Sequence, residues 1–576
     1  MRALLVATVM SLMVALPAAT SAAPLKKCEK RSSLRCGSVT VPLDRSGQVG
    51  GRIELSVIRL PASKGPPAGT LMVLAGGPGE SATGALALTA LALGKAAARF
   101  DLVAFDQRGT GKSGRLHCRA LRKSGSRSLS AAFARCAKQL GPRRAFFRTA
   151  DSVDDIEAVR QYLGGPTLSL LAVSYGARVA GEYVRRYPAS VGRLVLDSPV
   201  PLTGTDPFDR QLQGALPRVL SSLCDRACGF TTSAYRDLTR LARRLDRRPL
   251  RGRVVDKRGR VHRATLAART LHRVVSATDV DAGLRGQLPA AVASALKGDP
   301  ASLMRLALVT SKGSAAGGLS APLTAATLCS ESQLPWDPAA PPGSHRRAAV
   351  RGALAQLGAG PFAPFAPRAV VADGLLAICA GWPAVPNKPA PIAGTAAVPT
   401  LILSGTEDLR TPLEQASAIA SDYSAATVLA VPHTGHSAIG SAPRSCATRA
   451  LIGFLRGEPA PTACPSRPRP KQIAVAEPPP ARLSAVPGRT LGQRVRRAAK
   501  LTARDVLGQL LIAPARRFGG LRGGTAVVER RRLVLDGYEY VRGVEVSGRL
   551  RPGKRGGLRG TVSVRAGDAV PVRVEL

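Results

Sequence analysis

One serine in this chain stands where chemistry is easiest to arrange. The stretch Thr167 to Arg178 reads TLSLLAVSYGAR: a short apolar run, Ser174, then a helical pattern that stops at Pro188. Ala172 and Gly176 flank the serine two residues either way, small enough for strand and helix backbones to come nearly into contact. Such a strand–turn–helix lifts the hydroxyl above the sheet edge, and the helix N-terminus behind it offers N–H groups to a developing anion. A serine nucleophile also needs a histidine to take its proton and a carboxylate to orient that histidine. Two of the six histidines, His433 and His436, follow the apolar run Thr427 to Val431, and Glu407 and Asp408 follow another, Thr400 to Leu403. Either acid and either histidine fits this pattern. Small residues around a serine also occur at the start of an ordinary buried helix, so the rest of the chain has to decide.

Two further loops follow strand-like runs. Thr70 to Ala75 leads into Gly76-Gly77-Pro78-Gly79-Glu80-Ser81, and Asp101 to Phe105 leads into Asp106-Gln107-Arg108-Gly109-Thr110-Gly111-Lys112-Ser113. The first lacks the G-K-[ST] of a P-loop and the G-x-G-x-x-G of a dinucleotide fold. Its glycines instead allow close backbone approach to a substrate. In the second, Asp106 and Arg108 are expected to brace the loop rather than do chemistry. The metal reading is poor: Cys224-x-x-x-Cys228 has no neighbouring histidine, and His433-x-x-His436 lacks a third ligand in sequence. No metal and no cofactor is expected.

AGGPGES, DQRGTGKS and AVSYG, in that order and each after a strand, resemble the secreted bacterial tripeptidyl aminopeptidases of the prolyl-aminopeptidase group of α/β-hydrolases. The similarity continues through Cys379-Ala380-Gly381-Trp382-Pro383, Ser404 to Asp408 with Thr411-Pro412, and Gly435-His436, covering roughly Cys36 to Cys464. It departs at Ala172, where the elbow usually has glycine. It departs again at Ala75, where prolyl aminopeptidases usually carry histidine, so a strict proline preference does not follow. The resemblance implies an α/β-hydrolase fold, a mostly parallel sheet with helices on both faces, and a triad in the order Ser174, Asp408, His436. Backbone N–H groups of Tyr175 and Gly77 would bind the oxyanion.

The elements that must position these residues fall into distinct blocks. Residues 1–23 have the basic start, apolar middle and small-residue end of a signal peptide. Residues 24–200 and 400–464 are the two parts of the expected hydrolase core. Residues 201–399, helical in pattern at Gln213 to Leu223, Ser233 to Leu245 and Ala290 to Leu296, resemble the family's lid insertion. Residues 465–490 are a Pro-rich linker, and 491–576 a basic accessory region with a helix followed by short alternating strands. No stretch after the signal peptide is expected to span a membrane.

The 576-residue chain carries a formal charge of +46, and after Cys464 there are 24 basic against 8 acidic residues. Such a cation adheres to polyanions. Aromatics are only 4% and no nucleic-acid motif is present, so the expected partner is an anionic cell-surface polymer rather than a specific nucleic acid. On this reading the tail retains the protein at the surface, and its removal leaves small-substrate turnover nearly unchanged. Ten cysteines in an exported chain read as disulfides. Ten cysteines allow very many pairings and the sequence does not choose among them; the expected scheme joins neighbours, which closes short loops: Cys28–Cys36, Cys118–Cys136, Cys224–Cys228, Cys329–Cys379 and Cys446–Cys464.

The expected protein is a secreted serine hydrolase, and the resemblance points to release of short peptides or residues from free peptide N-termini. An exopeptidase of that kind must hold a protonated amine with a carboxylate. Glu331, two residues from Cys329, is the first candidate and Glu80 the reserve. A secreted carboxylester hydrolase on the same fold is the competing enzyme reading. A wall-binding protein whose hydrolase fold is inert is the non-enzymatic one.

Overall fold

The computed structural model describes residues 24–29, 32–122, 129–225, 228–313, 319–383, 397–441, 445–465, 475–512, 515–553 and 557–576. The expected signal peptide and part of the linker lie outside the described residues. Alternating and fully apolar runs build one sheet of nine strands: β1 (Lys26–Lys27), β2 (Arg35–Pro42), β3 (Arg52–Leu60), β4 (Thr70–Leu74), β5 (Asp101–Phe105), β6 (Leu168–Val173), β7 (Val191–Asp197), β10 (Thr400–Gly405) and β11 (Ala426–Val431). Their order across the sheet is β1-β2-β3-β5-β4-β6-β7-β10-β11. From β5 to β11 all pairs are parallel, while β1, β2, β3 and β5 pair antiparallel. The parallel strands are buried on both faces, as helix-covered parallel sheets require. In β6, Leu168, Leu170, Leu171 and Ala172 are all at most 1% exposed. Each buried leucine there contributes about 1.5–3 kcal/mol.

The β7–β10 crossover carries the lid. It has its own apolar core, drawn from helices Arg210–Cys224, Ala234–Arg247, Ala268–Thr278 and Ala282–Leu296 and their neighbours. A hairpin of β8 (Leu250–Val255) and β9 (Val261–Leu266), not anticipated from the sequence, interrupts those helices. Beyond the core, helix Leu491–Ile512 packs on an antiparallel sheet of β12 (Arg517–Gly519), β13 (Gly523–Glu529), β14 (Arg532–Glu539), β15 (Val544–Pro552), β16 (Leu558–Arg559), β17 (Thr561–Ala566) and β18 (Val572–Glu575). This unit docks on the lid. Arg305 gives Asp505 two hydrogen bonds of 2.8 and 2.6 Å, and Arg522 gives Asp299 two of 3.0 and 2.5 Å.

Five disulfides join Cys28–Cys36, Cys118–Cys136, Cys224–Cys228, Cys329–Cys379 and Cys446–Cys464, the neighbour pairing expected from the sequence. Among the described residues no helix is long and apolar enough to cross a membrane.

Candidate active site

Ser174 sits between β6 and helix Tyr175–Arg186 with φ 54° and ψ −119°. That strained turn is what exposes a nucleophile at a strand end. Gly176 is obligatory, because a Cβ there would come within 2.7 Å of the Leu74 and Ala75 carbonyl oxygens. Ala172 replaces the usual glycine at no steric cost visible in the strand, where it is fully buried and paired with Leu74 and Leu196. Tyr175 opens the helix, so its N–H has no intrahelical acceptor. Facing the turn is Gly76, where a Cβ would meet the Ser174 Cβ at 2.9 Å; Gly77 follows with φ 110°. The lid holds this loop from outside: Ser320 N–H donates to the Gly79 carbonyl (3.1 Å) and the Thr324 hydroxyl to the Pro78 carbonyl (2.8 Å). The two predicted N–H donors, Tyr175 and Gly77, thus belong to loops that meet at the serine.

Asp408 follows β10 and His436 follows β11, at the same sheet edge as Ser174. Asp408 Oδ2 lies 3.1 Å from His436 Nδ1. The acid is fixed by its own turn: Oδ1 accepts from the N–H groups of Arg410 (2.9 Å) and Thr411 (2.8 Å), and Oδ2 from the Thr411 hydroxyl (2.8 Å). Burial pushes the Asp408 carboxyl up, but His436 and the Thr411 donors outweigh it and hold it below the ordinary carboxylate value. Burial likewise pulls His436 down, and the Asp408 charge overrides this and leaves the imidazole above its usual value. An ionised Asp408 keeps the proton on Nδ1 and leaves Nε2 as the lone-pair nitrogen, the tautomer a general base needs.

The structure separates the alternatives the sequence left open. Glu407, fully buried, meets Arg285 of the lid at 3.2 Å and His433 at 3.6 Å. Asp408 is the acid that meets His436.

A connector that sequence reasoning passed over joins the three loops. The Asp197 carbonyl accepts the Ser174 N–H (2.9 Å), and the Asp197 carboxylate accepts the N–H groups of Ala438 (2.6 Å) and Ile439 (3.0 Å). Ser198 accepts the Ser437 N–H on its hydroxyl (2.9 Å), and its carbonyl oxygen lies 3.1 Å from the Thr411 hydroxyl oxygen. The signal in the sequence was Asp-Ser-Pro directly at the end of an apolar strand. Asp106 and Arg108 brace, as expected: Asp106 accepts from Ser81, Thr83 and Lys112, and Arg108 grips Asp155 with two 2.7 Å bonds.

The two acids considered for an amine differ sharply. Glu331 is only 5% exposed. Its oxygens accept the Thr149 N–H (2.6 Å) and hydroxyl (2.7 Å) and meet Arg178 at 3.3 Å, while Tyr175 donates to the same Thr149 hydroxyl at 2.8 Å. Glu331 therefore ties the elbow helix to helix Thr149–Tyr162. Glu80 is exposed, and its Oε2 lies 3.4 Å from where a Gly76 Cβ would stand, beside the serine.

The profile of the alpha/beta hydrolase fold family matches residues 69–443, and the chain belongs to that family. Over 201 residues it is 31% identical to "Serine protease Hip1" of Mycobacterium tuberculosis, covering 31% of this chain and 38% of that protein. Over 193 residues it is 30% identical to "Tripeptidyl aminopeptidase" of Streptomyces lividans, covering 29% and 35%. An 81-residue stretch, 14% of this chain and 15% of the other, is 44% identical to "Carboxylesterase B" of Mycobacterium tuberculosis. The chain thus spans well under half the length of each of these relatives. The names of the first two agree with the group that its motifs resemble.

Proposed function

We propose that the protein is an exported serine hydrolase that releases short peptides from free peptide N-termini. The Asp408–His436 pair, joined to the Ser174 turn through Asp197 and Ser198, carries this reading. His436 Nε2 takes the Ser174 proton as the hydroxyl oxygen adds to the scissile carbonyl. The N–H groups of Tyr175 and Gly77 bind the resulting oxyanion. Collapse breaks the C–N bond, with His436 returning its proton to the leaving amine. Water, deprotonated by the same imidazole, then hydrolyses the Ser174 ester. Glu80 is the acid that receives the substrate's ammonium group, because its carboxylate is exposed beside the reacting serine. Glu331 keeps its structural engagement. Five disulfides support export to an oxidising compartment.

A carboxylester hydrolase is the second reading, favoured by the short match to a carboxylesterase. Free and N-acetylated chromogenic tripeptides, assayed beside short-chain nitrophenyl esters, separate the two. The peptidase reading expects the free peptide to be preferred, with Glu80→Gln raising KM for it alone. Equal cleavage of blocked and free peptide, or turnover of esters only, overturns it. Ser174→Ala must abolish fluorophosphonate labelling, and His436→Ala must lose activity that His433→Ala keeps.

A further inference from the structure

Asp279, at the C-terminal end of lid helix Ala268–Thr278, has no place in the mechanism above, yet it lies against the acid and the histidine. It is 1% exposed. Its Oδ1 accepts the Leu409 N–H (2.9 Å) and its Oδ2 the Arg410 N–H (3.1 Å). The Arg410 N–H is shared with Asp408 Oδ1 at 2.9 Å, so two carboxylates hold one donor. A carboxylate oxygen of Asp279, one of Asp408 and a ring nitrogen of His436 all lie within 4.8 Å of one another. Gly435, one residue before His436, has no room for a side chain because the Asp279 carbonyl and the Arg285 guanidinium occupy that space. Arg285 itself donates to the Asp279 carbonyl at 2.8 Å.

A buried acid 129 positions before Asp408 in sequence thus pins the backbone that follows Asp408, and its helix presses on the residue before His436. Structural packing alone would not call for a carboxylate in a place where a second negative charge repels Asp408. Burial and then that repulsion push the Asp279 carboxyl up to about 6. The repulsion is tolerated because two N–H donors and the nearby cations Arg285 and Arg410 face it.

We propose that Asp279 is a lid-borne positioning residue for the Asp408–His436 pair: it fixes the turn carrying Asp408 and adds a second negative charge behind the imidazole. The proposal rests on the serine-hydrolase reading. Its consequence is that the lid sets the basicity of His436 as well as the shape of the pocket. The groups facing Asp279 are Asp408 and Arg410 from the acid loop, His436 from the histidine loop, and Arg285 from helix Ala282–Leu296, with Glu407 behind Arg285. The sign follows from charge: Asp279 raises His436, so removing its carboxylate lowers the imidazole.

The test is the rate of Ser174 labelling by a fluorophosphonate as a function of pH, which needs no knowledge of the substrate. The full-length wild type is compared with Asp279→Asn and Asp279→Ala. In both variants the acidic limb should move to lower pH. The plateau rate should fall about tenfold in Asp279→Ala, which loses both acceptors, and less in Asp279→Asn, which keeps one. The limb midpoint does not depend on the folded fraction, so Asp279→Asn decides the matter even if Asp279→Ala folds poorly. A merely structural role lowers labelling equally at every pH; a limb unmoved from wild type in Asp279→Asn overturns the proposal. If wild type itself is not labelled, the serine-hydrolase reading fails, a result distinct from either outcome.

Discussion

Replacing Arg305 with alanine should loosen the C-terminal unit from the lid by an amount the geometry lets one estimate. The Arg305 and Asp505 side chains are 12% and 7% exposed and joined by a bidentate pair of 2.8 and 2.6 Å. Asp505 has one other described donor, the Tyr538 hydroxyl at 2.7 Å. Arg305→Ala therefore leaves a buried carboxylate with a single neutral partner, a loss that costs about 3–5 kcal/mol for buried pairs. With Arg522–Asp299 still in place, the lower figure is the better expectation, about 3 kcal/mol or roughly a hundredfold in the opening equilibrium. Native-state proteolysis at low protease, where cleavage follows the open population, reads this directly. Asp505→Ala should cost a similar amount, and the double variant clearly less than the sum, because neither charge is then stranded. Two single variants that each cost under about 0.5 kcal/mol and combine additively would refute the reasoning.

Gly176→Ala should abolish fluorophosphonate labelling while leaving far-UV circular dichroism unchanged, because its Cβ would collide with two strand carbonyls and move the serine turn rather than the sheet; labelling within threefold of wild type would show that the turn has slack. The arginines Arg549, Arg551, Arg565 and Arg573 are exposed on the C-terminal sheet, and we propose that they hold the protein on an anionic cell-surface polymer. Changing all four to glutamine should weaken binding to a polyanion column and flatten its salt dependence, with turnover within twofold of wild type; unchanged elution would place the retention elsewhere.

Much of the site was legible because local chemistry dictates it. The elbow needs small residues at fixed offsets from Ser174, and Gly176 has that role for the reason the spacing implied. The structure has the neighbour disulfides, a pairing that short loops favour and that the sequence alone does not choose. What local pattern could not decide was anything set across the lid. Glu407 and Asp408 are adjacent and follow the same strand, so no periodicity distinguishes them. The distinction comes from Arg285, 122 positions away in sequence, which takes Glu407. Glu331 was chosen as the amine-binding acid for its place two residues from Cys329, but the sequence does not say that Thr149 and Arg178 already engage its oxygens. The tail was read as a basic accessory region, and nothing in its local pattern points to the lid. Its two buried ion pairs to the lid each join residues about 200 positions apart, and they make removal after Cys464 a change to the lid as well.

Those ion pairs add to the contacts that hold the lid. Arg285 takes Glu407, Asp279 braces the turn after Asp408, and Ser320 and Thr324 hold the Gly77 loop, so the insertion touches the acid loop and the oxyanion loop from outside the sheet. The same insertion is also held by Asp505 and Arg522 of the C-terminal unit. The C-terminal unit therefore reaches the acid loop only at second hand, through the insertion that carries Arg285 and Asp279, and variants at its two ion pairs should change lid stability before they change the Asp408–His436 contact.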